Sequence, residues 1–113
     1  MRLRSDIWIA AYLRRCGVEG APAYLRRRGA AEAGTIFVKI DRLDGQAALF
    51  GPAPPSEVDD GVRLFTRLHK EEWLDPGAIE ARLKREIDFD VDLWIVEVED
   101  RLGRNFLDLA DAS

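Results

Sequence analysis

The segment 35–50 constrains the fold of this chain more than any other part of the sequence. Its first half, 35–41, alternates apolar and polar side chains, the pattern of a half-buried strand. The apolar positions that share one face are Ile36, Val38 and Ile40. The dipeptide Asp44-Gly45 follows, and it tolerates the positive φ angles of a tight hairpin turn. Because a second apolar run then returns at 46–50, the sequence predicts an antiparallel hairpin here.

Two helices and several further strands are predicted around this hairpin. One helix is predicted over 6–18 with Ser5 as its N-cap, and another begins at Asp75-Pro76, an N-cap acid followed by proline. The further strands are predicted at 23–29, 62–68, 93–99 and 105–109. Strands thus come mostly in runs, which favours an α+β fold. We expect an antiparallel or mixed sheet of about five or six strands with two helices packed on one face.

The composition fits one domain that spans residues 1–113. Apolar residues make up 47% of the chain, enough for a packed core. The single cysteine, Cys16, leaves no intramolecular disulfide and no cysteine-based zinc cage. The apolar run at 7–13 is too short to span a bilayer, and it lacks a signal-peptide cleavage site. We therefore expect a cytoplasmic protein without a membrane segment.

The N-terminal part of the chain is basic although the net charge is −4. Arg26, Arg27 and Arg28 fall on the predicted strand 23–29, where Arg26 and Arg28 would share one face and Arg27 the other. One interpretation is an edge strand that is protected by charge and paired with acids elsewhere in the fold.

The other interpretation of these arginines is nucleic-acid binding. Together with Arg14 and Arg15, the triplet Arg26–Arg28 could contact phosphates. The sequence pI near 5.0 argues against general binding of nucleic acid, so we expect the first interpretation to hold.

His69 is the single histidine of the chain and the one candidate for acid–base catalysis. It is close in sequence to Glu71, Glu72 and Asp75, but catalysis would need it beside a nucleophile or a carboxylate in space. The same residues are typical of a solvated charged turn.

No metal site or cofactor is predicted. Four carboxylates stand at the positions of a calcium loop: Asp88, Asp90, Asp92 and Glu99. The sixth position, which should be glycine, is Leu93. The sequence also lacks the glycine-rich patterns that bind phosphate groups of cofactors.

Trp73 lies in an ambiguous segment just before the second helix. If its side chain is exposed, it indicates a contact surface. The other two tryptophans, Trp8 and Trp94, are expected in the core.

Three stretches of the sequence carry a resemblance to a known family. They are 2–15 (RLRSDIWIAAYLRR), 28–39 (RGAAEAGTIFVK) and 92–100 (DLWIVEVED). Together they resemble a family of short bacterial proteins known as DUF1491, a domain of unknown function. The resemblance implies a bacterial, cytoplasmic, stand-alone domain and no particular activity.

The leading hypothesis is a small non-catalytic interaction or regulatory module that acts by protein–protein contact, with another protein or as a homodimer. Strands prone to lie at an edge suit pairing with another chain, and the interaction residues would be Arg26, Arg27, Arg28 and Trp73. Two alternatives stay open: an enzyme of unfamiliar type that uses His69, and a nucleic-acid binder that uses the arginines.

Overall fold

The computed structural model describes residues 2–55 and 61–110. These residues form two helices and five strands: α1 (Ser5–Val18), β1 (Ala23–Arg27), β2 (Ile36–Asp41), β3 (Ala47–Pro52), β4 (Phe65–Arg67), α2 (Pro76–Phe89) and β5 (Trp94–Glu99). The predicted α+β class is confirmed, and the sheet has five strands.

The sheet is mixed, with the strand order β1-β5-β2-β3-β4. Only β2 and β5 are parallel, and the other three pairs are antiparallel. The predicted hairpin is confirmed as β2–β3, in which Asp41 lies opposite Ala47. Its turn is longer than a two-residue loop, because residues 42–46 lie between these partners. Within the turn, Leu43 and Gly45 adopt positive φ angles of 66° and 84° respectively.

The prediction that both helices pack on one face of the sheet is wrong. Ile9, Tyr12 and Cys16 of α1 join a core with the side chains on one face of the sheet. Ile79 and Leu83 of α2 join a separate core on the other face. The physical reason lies in the central strands, whose side chains are buried on both faces, as is expected for strands covered on both sides.

Phe37 shows how the sequence signalled the second face. It interrupts the polar side of the alternating strand β2, and it is buried in the core beneath α2. An apolar residue on the polar side of a strand is therefore evidence for a second covering layer.

The first helix begins differently from the prediction. Ser5 is not the N-cap but the first residue of α1, and Arg4 occupies the cap without a side-chain cap bond. The Ser5 hydroxyl donates to the carbonyl of Gly34 at 2.7 Å, and the amides of the first turn donate to the carbonyls of residues 31 and 32. A loop that is distant in sequence thus supplies hydrogen-bond acceptors for the free amides at the start of the helix. The local sequence cannot reveal such partners.

The start of α2 is as predicted. The carboxylate of Asp75 accepts a hydrogen bond from the amide of Gly77 at 2.9 Å, and Pro76 occupies the first turn. This arrangement is the expected N-cap with proline at the first helical position.

The predicted last strand at 105–109 does not form a full strand. Only Leu109 makes a bridge, and its partner is Phe65. Phe106 has a φ of 57°, which breaks the extended backbone, while Phe106 and Leu107 pack against the core on the α1 face. Packing and a few hydrogen bonds therefore hold this segment in place of the full strand ladder that was predicted.

Candidate interaction edge

The two edges of the sheet are protected unequally. The C-terminal segment covers the outer side of β4 at Phe65. The amide of Phe65 donates to the backbone carbonyl of Asp108 at 2.9 Å, and the amide of Ala110 donates to the backbone carbonyl of Phe65 at 2.8 Å. Within residues 2–55 and 61–110, no strand pairs with the outer side of β1. An unpaired edge presents backbone donors and acceptors to another chain.

The register identifies the backbone groups of β1 that face outwards. The amide of Glu99 donates to the carbonyl of Pro22 at 2.8 Å, so this pair is hydrogen-bonded. Bonded and non-bonded pairs alternate along an antiparallel ladder. The amides of Ala23 and Leu25 therefore point away from β5 and towards the open side.

The three predicted arginines lie at the end of this strand, but their directions differ from the prediction. The register shifts between Leu25 and Arg27, which is a β-bulge at Arg26. Arg26 lies on the α2 side, where it contacts Glu80, whereas Arg28 lies 5.5 Å from the ring of Trp94, a residue of the α1 core. Arg26 and Arg28 therefore do not share a face, because the bulge interrupts the alternation.

Arg26 is paired within the fold. Its guanidinium lies 2.7 Å from the Glu80 carboxylate and 3.0 Å from the Glu97 carboxylate. The buried ammonium of Lys39 lies 2.7 Å from Glu80 and 3.7 Å from Glu97. This network of two cations and two anions balances its own charge, so it supports the interpretation of an edge arginine paired with acids.

The network shifts the proton affinities of its members. The hydrogen bond from Arg26 is the largest cause that lowers the pKa of Glu80 to about 2, and Lys39 adds to the effect. Burial, followed by a hydrogen bond to Glu97, raises the pKa of Tyr24 to about 12. The Glu80 carboxylate therefore stays ionised well below neutral pH, and the Tyr24 phenol stays neutral well above it.

A corner beside Arg27 exposes large apolar side chains. The Arg27 guanidinium donates to the carbonyl of Val91 at 2.8 Å, which joins the end of β1 to the turn after α2. Phe89, the last residue of α2, is 94% exposed, and Val91 in this turn is 71% exposed. We name Arg27, Arg28, Phe89 and Val91 the Phe89 corner. Exposed apolar groups next to an open edge are typical of contact surfaces.

Sequence reasoning missed Phe89 and Val91. Their signal was present, because two apolar residues alternate with Asp88, Asp90 and Asp92 in a turn. The same alternation is also typical of a half-buried strand, so it did not predict that the two side chains lie in solvent.

His69 has a structural role in the fold. Its Nε2 accepts a hydrogen bond from the amide of Leu49 at 3.0 Å, which places the proton on Nδ1. Nδ1 then donates to the carbonyl of Glu71 at 2.8 Å. Both ring nitrogens are therefore occupied by backbone groups, which leaves neither free for proton transfer to a substrate.

Trp73 is half-buried rather than protruding. Its ring lies 4.9 Å from the guanidinium of Arg42 and 5.7 Å from that of Arg67, and Gly103 leaves room for it. The ring is thus enclosed by two cations, an arrangement that stabilises the fold. Trp73 as an interaction residue stays a prediction.

The other candidates are separated in space. Arg14 and Arg15 lie on α1, while Arg26 lies on the opposite side of the sheet, so the arginines of the nucleic-acid alternative do not form one face. The described residues contain no group of three or more side chains of His, Cys, Asp or Glu that could hold a metal ion. Neither described helix has the length and apolar character needed to cross a membrane.

The fold and the edge define a class of small α+β proteins in which a mixed five-stranded sheet carries one helix on each face. A sequence profile of the family described as "Protein of unknown function (DUF1491)" matches residues 3–108. The chain therefore belongs to the DUF1491 family, as the resemblance of the three stretches indicated.

Solved structures show the same fold. The crystal structure of a DUF1491 family protein from Caulobacter crescentus CB15 is 34% identical, with 98% of this chain and 100% of that chain covered and a TM-score of 0.79. The solution structure of protein Atu0922 from A. tumefaciens is 36% identical, with 100% and 98% covered and a TM-score of 0.82. An NMR structure of a DUF1491 family protein from Caulobacter crescentus CB15 is 38% identical, with 98% and 99% covered and a TM-score of 0.80. A comparison with curated proteins gives no match.

Proposed function

We propose that this protein is a non-catalytic interaction module that binds a strand of a partner protein along the open edge of β1. The observation that carries the proposal is the inequality of the two edges: the C-terminal segment covers β4, whereas β1 has no strand on its outer side in the described residues. Addition of a strand to an open edge is a common mode of protein recognition, because backbone hydrogen bonds supply the affinity.

The Phe89 corner supports this proposal and indicates the chemistry of the partner. An apolar side chain of the partner would cover Phe89 and Val91, and acidic side chains would lie opposite Arg27 and Arg28. Arg26 contributes little to recognition, because its charge is already balanced by Glu80 and Glu97. The specificity of the edge therefore depends on the corner rather than on the whole arginine triplet.

The geometry of His69 supports a non-catalytic role. The alternative of an enzyme requires a His69 nitrogen that is free to exchange a proton with a substrate. The bonds to Leu49 and Glu71 occupy both nitrogens, so the interaction module is the better-supported function.

The test is affinity capture of the tagged full chain from its own cells after nuclease treatment, followed by mass spectrometry. We compare the wild type with Phe89→Ser and with the control Leu102→Ser, since Leu102 is also largely exposed, at 77%, but lies outside the corner. The proposal predicts a protein partner that Leu102→Ser retains and Phe89→Ser loses.

Three results would contradict this proposal. A partner that binds both variants equally would place the contact elsewhere on the chain. Recovery of a second copy of the chain alone would indicate a homodimer in place of a different partner protein. Partners lost on nuclease treatment would support nucleic-acid binding instead.

A further inference from the structure

Three adjoining concavities lie near the start of α1, away from the β1 edge. The smallest, of about 110 Å³, is lined by Arg2 and Arg63 together with residues 33–36 and others. A second, of about 220 Å³, shares these two arginines and adds Leu3 and Trp8. A third, of about 230 Å³, shares Leu3 and Trp8. Each is smaller than the ~300–1,000 Å³ of typical ligand sites, but the shared residues join them into one groove.

The smallest concavity carries positive charge, and the described residues that line it supply no counter-charge. Arg2 and Arg63 are the only charged residues among the described residues that line it. No carboxylate of the described residues forms an ion pair with either of them. Two guanidinium groups that share a small concavity repel each other, so a bound anion would stabilise the arrangement.

The surroundings of Arg63 hold its side chain in place. One terminal nitrogen donates to the carbonyl of Leu3 at 2.8 Å, and the guanidinium carbon lies 6.0 Å from the ring of Trp8. Its buried Nε has no hydrogen-bond partner among the described residues. Burial, followed by the charge of Arg2, lowers the pKa of Arg63. Arg63 is therefore fixed in position with hydrogen-bonding capacity left over.

The groove also has an apolar part. Trp8 stacks on Tyr12 at 4.8 Å between ring centroids and contacts Phe65 at 5.1 Å, so its ring is held rigidly. Leu3 is 54% exposed beside it. Asp108 lines the second and third concavities but not the first. Because its carboxylate repels an anion, the anionic group of a ligand would lie at the arginines and the uncharged part along Leu3 and Trp8.

We propose that this groove binds a small organic anion, with its phosphate or carboxylate group between Arg2 and Arg63 and its apolar body against Leu3 and Trp8. A guanidinium presents parallel donors that match the oxygens of either group, and the indole ring provides a flat apolar surface. This site does not depend on the proposed role of the β1 edge, and the two are tested by separate variants.

The test is NMR titration of the ¹⁵N-labelled full chain, with the indole N–H signals of Trp8, Trp73 and Trp94 as reporters. The probes are phenyl phosphate, phenylacetate, inorganic phosphate and the uncharged benzyl alcohol. We expect a saturable shift of the Trp8 signal with phenyl phosphate or phenylacetate, and the tighter of the two identifies the anionic group. Inorganic phosphate should bind at least about tenfold more weakly, because it lacks the apolar body.

Variants of both arginines complete the test. Arg63→Gln should weaken binding about tenfold or more through loss of a charge-assisted hydrogen bond. Arg2→Gln should also weaken it, and this exposed residue can change without loss of the fold. Arg101→Gln, another exposed arginine outside the groove, should bind as the wild type does. A Trp8 signal that no anion shifts, equal binding of benzyl alcohol, or wild-type affinity in both groove variants would overturn the proposal.

Discussion

At the scale of single residues, Glu80 links three elements by charge. It lies on α2 and contacts Arg26 of β1 and Lys39 of β2. Its folded pKa of about 2 lies below the usual 4.5, so the ionised form is favoured in the folded protein. The stability that this provides is complete above about pH 4.5, and it is lost as the pH falls towards 2.

The lowered pKa of Glu80 predicts how Glu80→Gln changes the pH dependence of stability. The variant should be less stable than the wild type at pH 7, and the difference should shrink between pH 4.5 and pH 2. Urea unfolding at pH 7 and at pH 3 measures both quantities, with Glu72→Gln, an exposed acid outside the network, as the control. An unchanged difference between the two pH values would show that the network does not hold the carboxylate ionised.

His69 leads to a second prediction at this scale. His69→Ala leaves the amide of the buried residue Leu49 without its acceptor, which should lower the free energy of unfolding by about 1–3 kcal/mol. Urea unfolding measures this loss. A variant as stable as the wild type would mean that the two hydrogen bonds contribute nothing, and it would return His69 to the list of candidate catalytic residues.

Single residues also show which contacts can be predicted from the sequence and which cannot. The N-cap role of Asp75 depends on its nearest neighbours, and it was predicted correctly. The partners of Arg26 and Ser5 lie far along the chain, at Glu80 and at Gly34. Local patterns predict local contacts, whereas long-range contacts depend on how the elements pack.

At the scale of elements, the turn of the chain before β2 depends on close backbone approach. A Cβ atom at Gly29 would collide with the backbone of Asp92 and Leu93, and backbone atoms cannot move aside as a flexible side chain can. Gly17, near the end of α1, has no such neighbour within 4 Å and lacks a positive φ.

These two glycines form a matched pair for mutation. Gly29→Ala should destabilise the protein, because the backbone of Asp92 and Leu93, just before β5, must shift to make room for the Cβ atom. Gly17→Ala should stabilise it by about 0.5–1 kcal/mol, since alanine favours a helix more than glycine does. Thermal unfolding of both variants measures the effects. A Gly29→Ala variant with an unchanged melting temperature would contradict the close approach.

The elements themselves were predicted more accurately than their arrangement. The β2–β3 hairpin and both helices follow from periodicity and capping, which act within a few residues. The bulge at Arg26 did not follow, because it arises from the pairing of β1 with β5. Segment 105–109 was predicted as a strand because its composition suits one, but the φ of Phe106 interrupts it.

At the scale of the whole molecule, the two-sided burial of β2 and β5 determines the architecture. A central strand that is buried on both faces requires a cover on each side, so α1 and α2 take opposite faces. The sequence contained this information in Phe37 of β2 and in Leu93 and Ile95 near the start of β5, which belong to the α2 core. Class and element order could therefore be predicted, whereas the strand order required the structure.

The open edge at β1 also depends on how the whole sheet is assembled. The arginines were predicted as interaction residues, but the open side of β1 and the exposure of Phe89 depend on which strand lies at the margin of the sheet. The C-terminal segment covers one margin, and the chain has no equivalent cover for the other among its described residues.

Recognition through the β1 edge is tested by amide hydrogen exchange of the full chain, alone and with the partner obtained by capture. The outward-facing amides of Ala23 and Leu25 should exchange freely in the chain alone and should become protected in the complex, because a partner strand supplies their acceptors. Protection confined to other parts of the chain, with Ala23 and Leu25 exchanging at the same rate in both samples, would contradict recognition through the β1 edge.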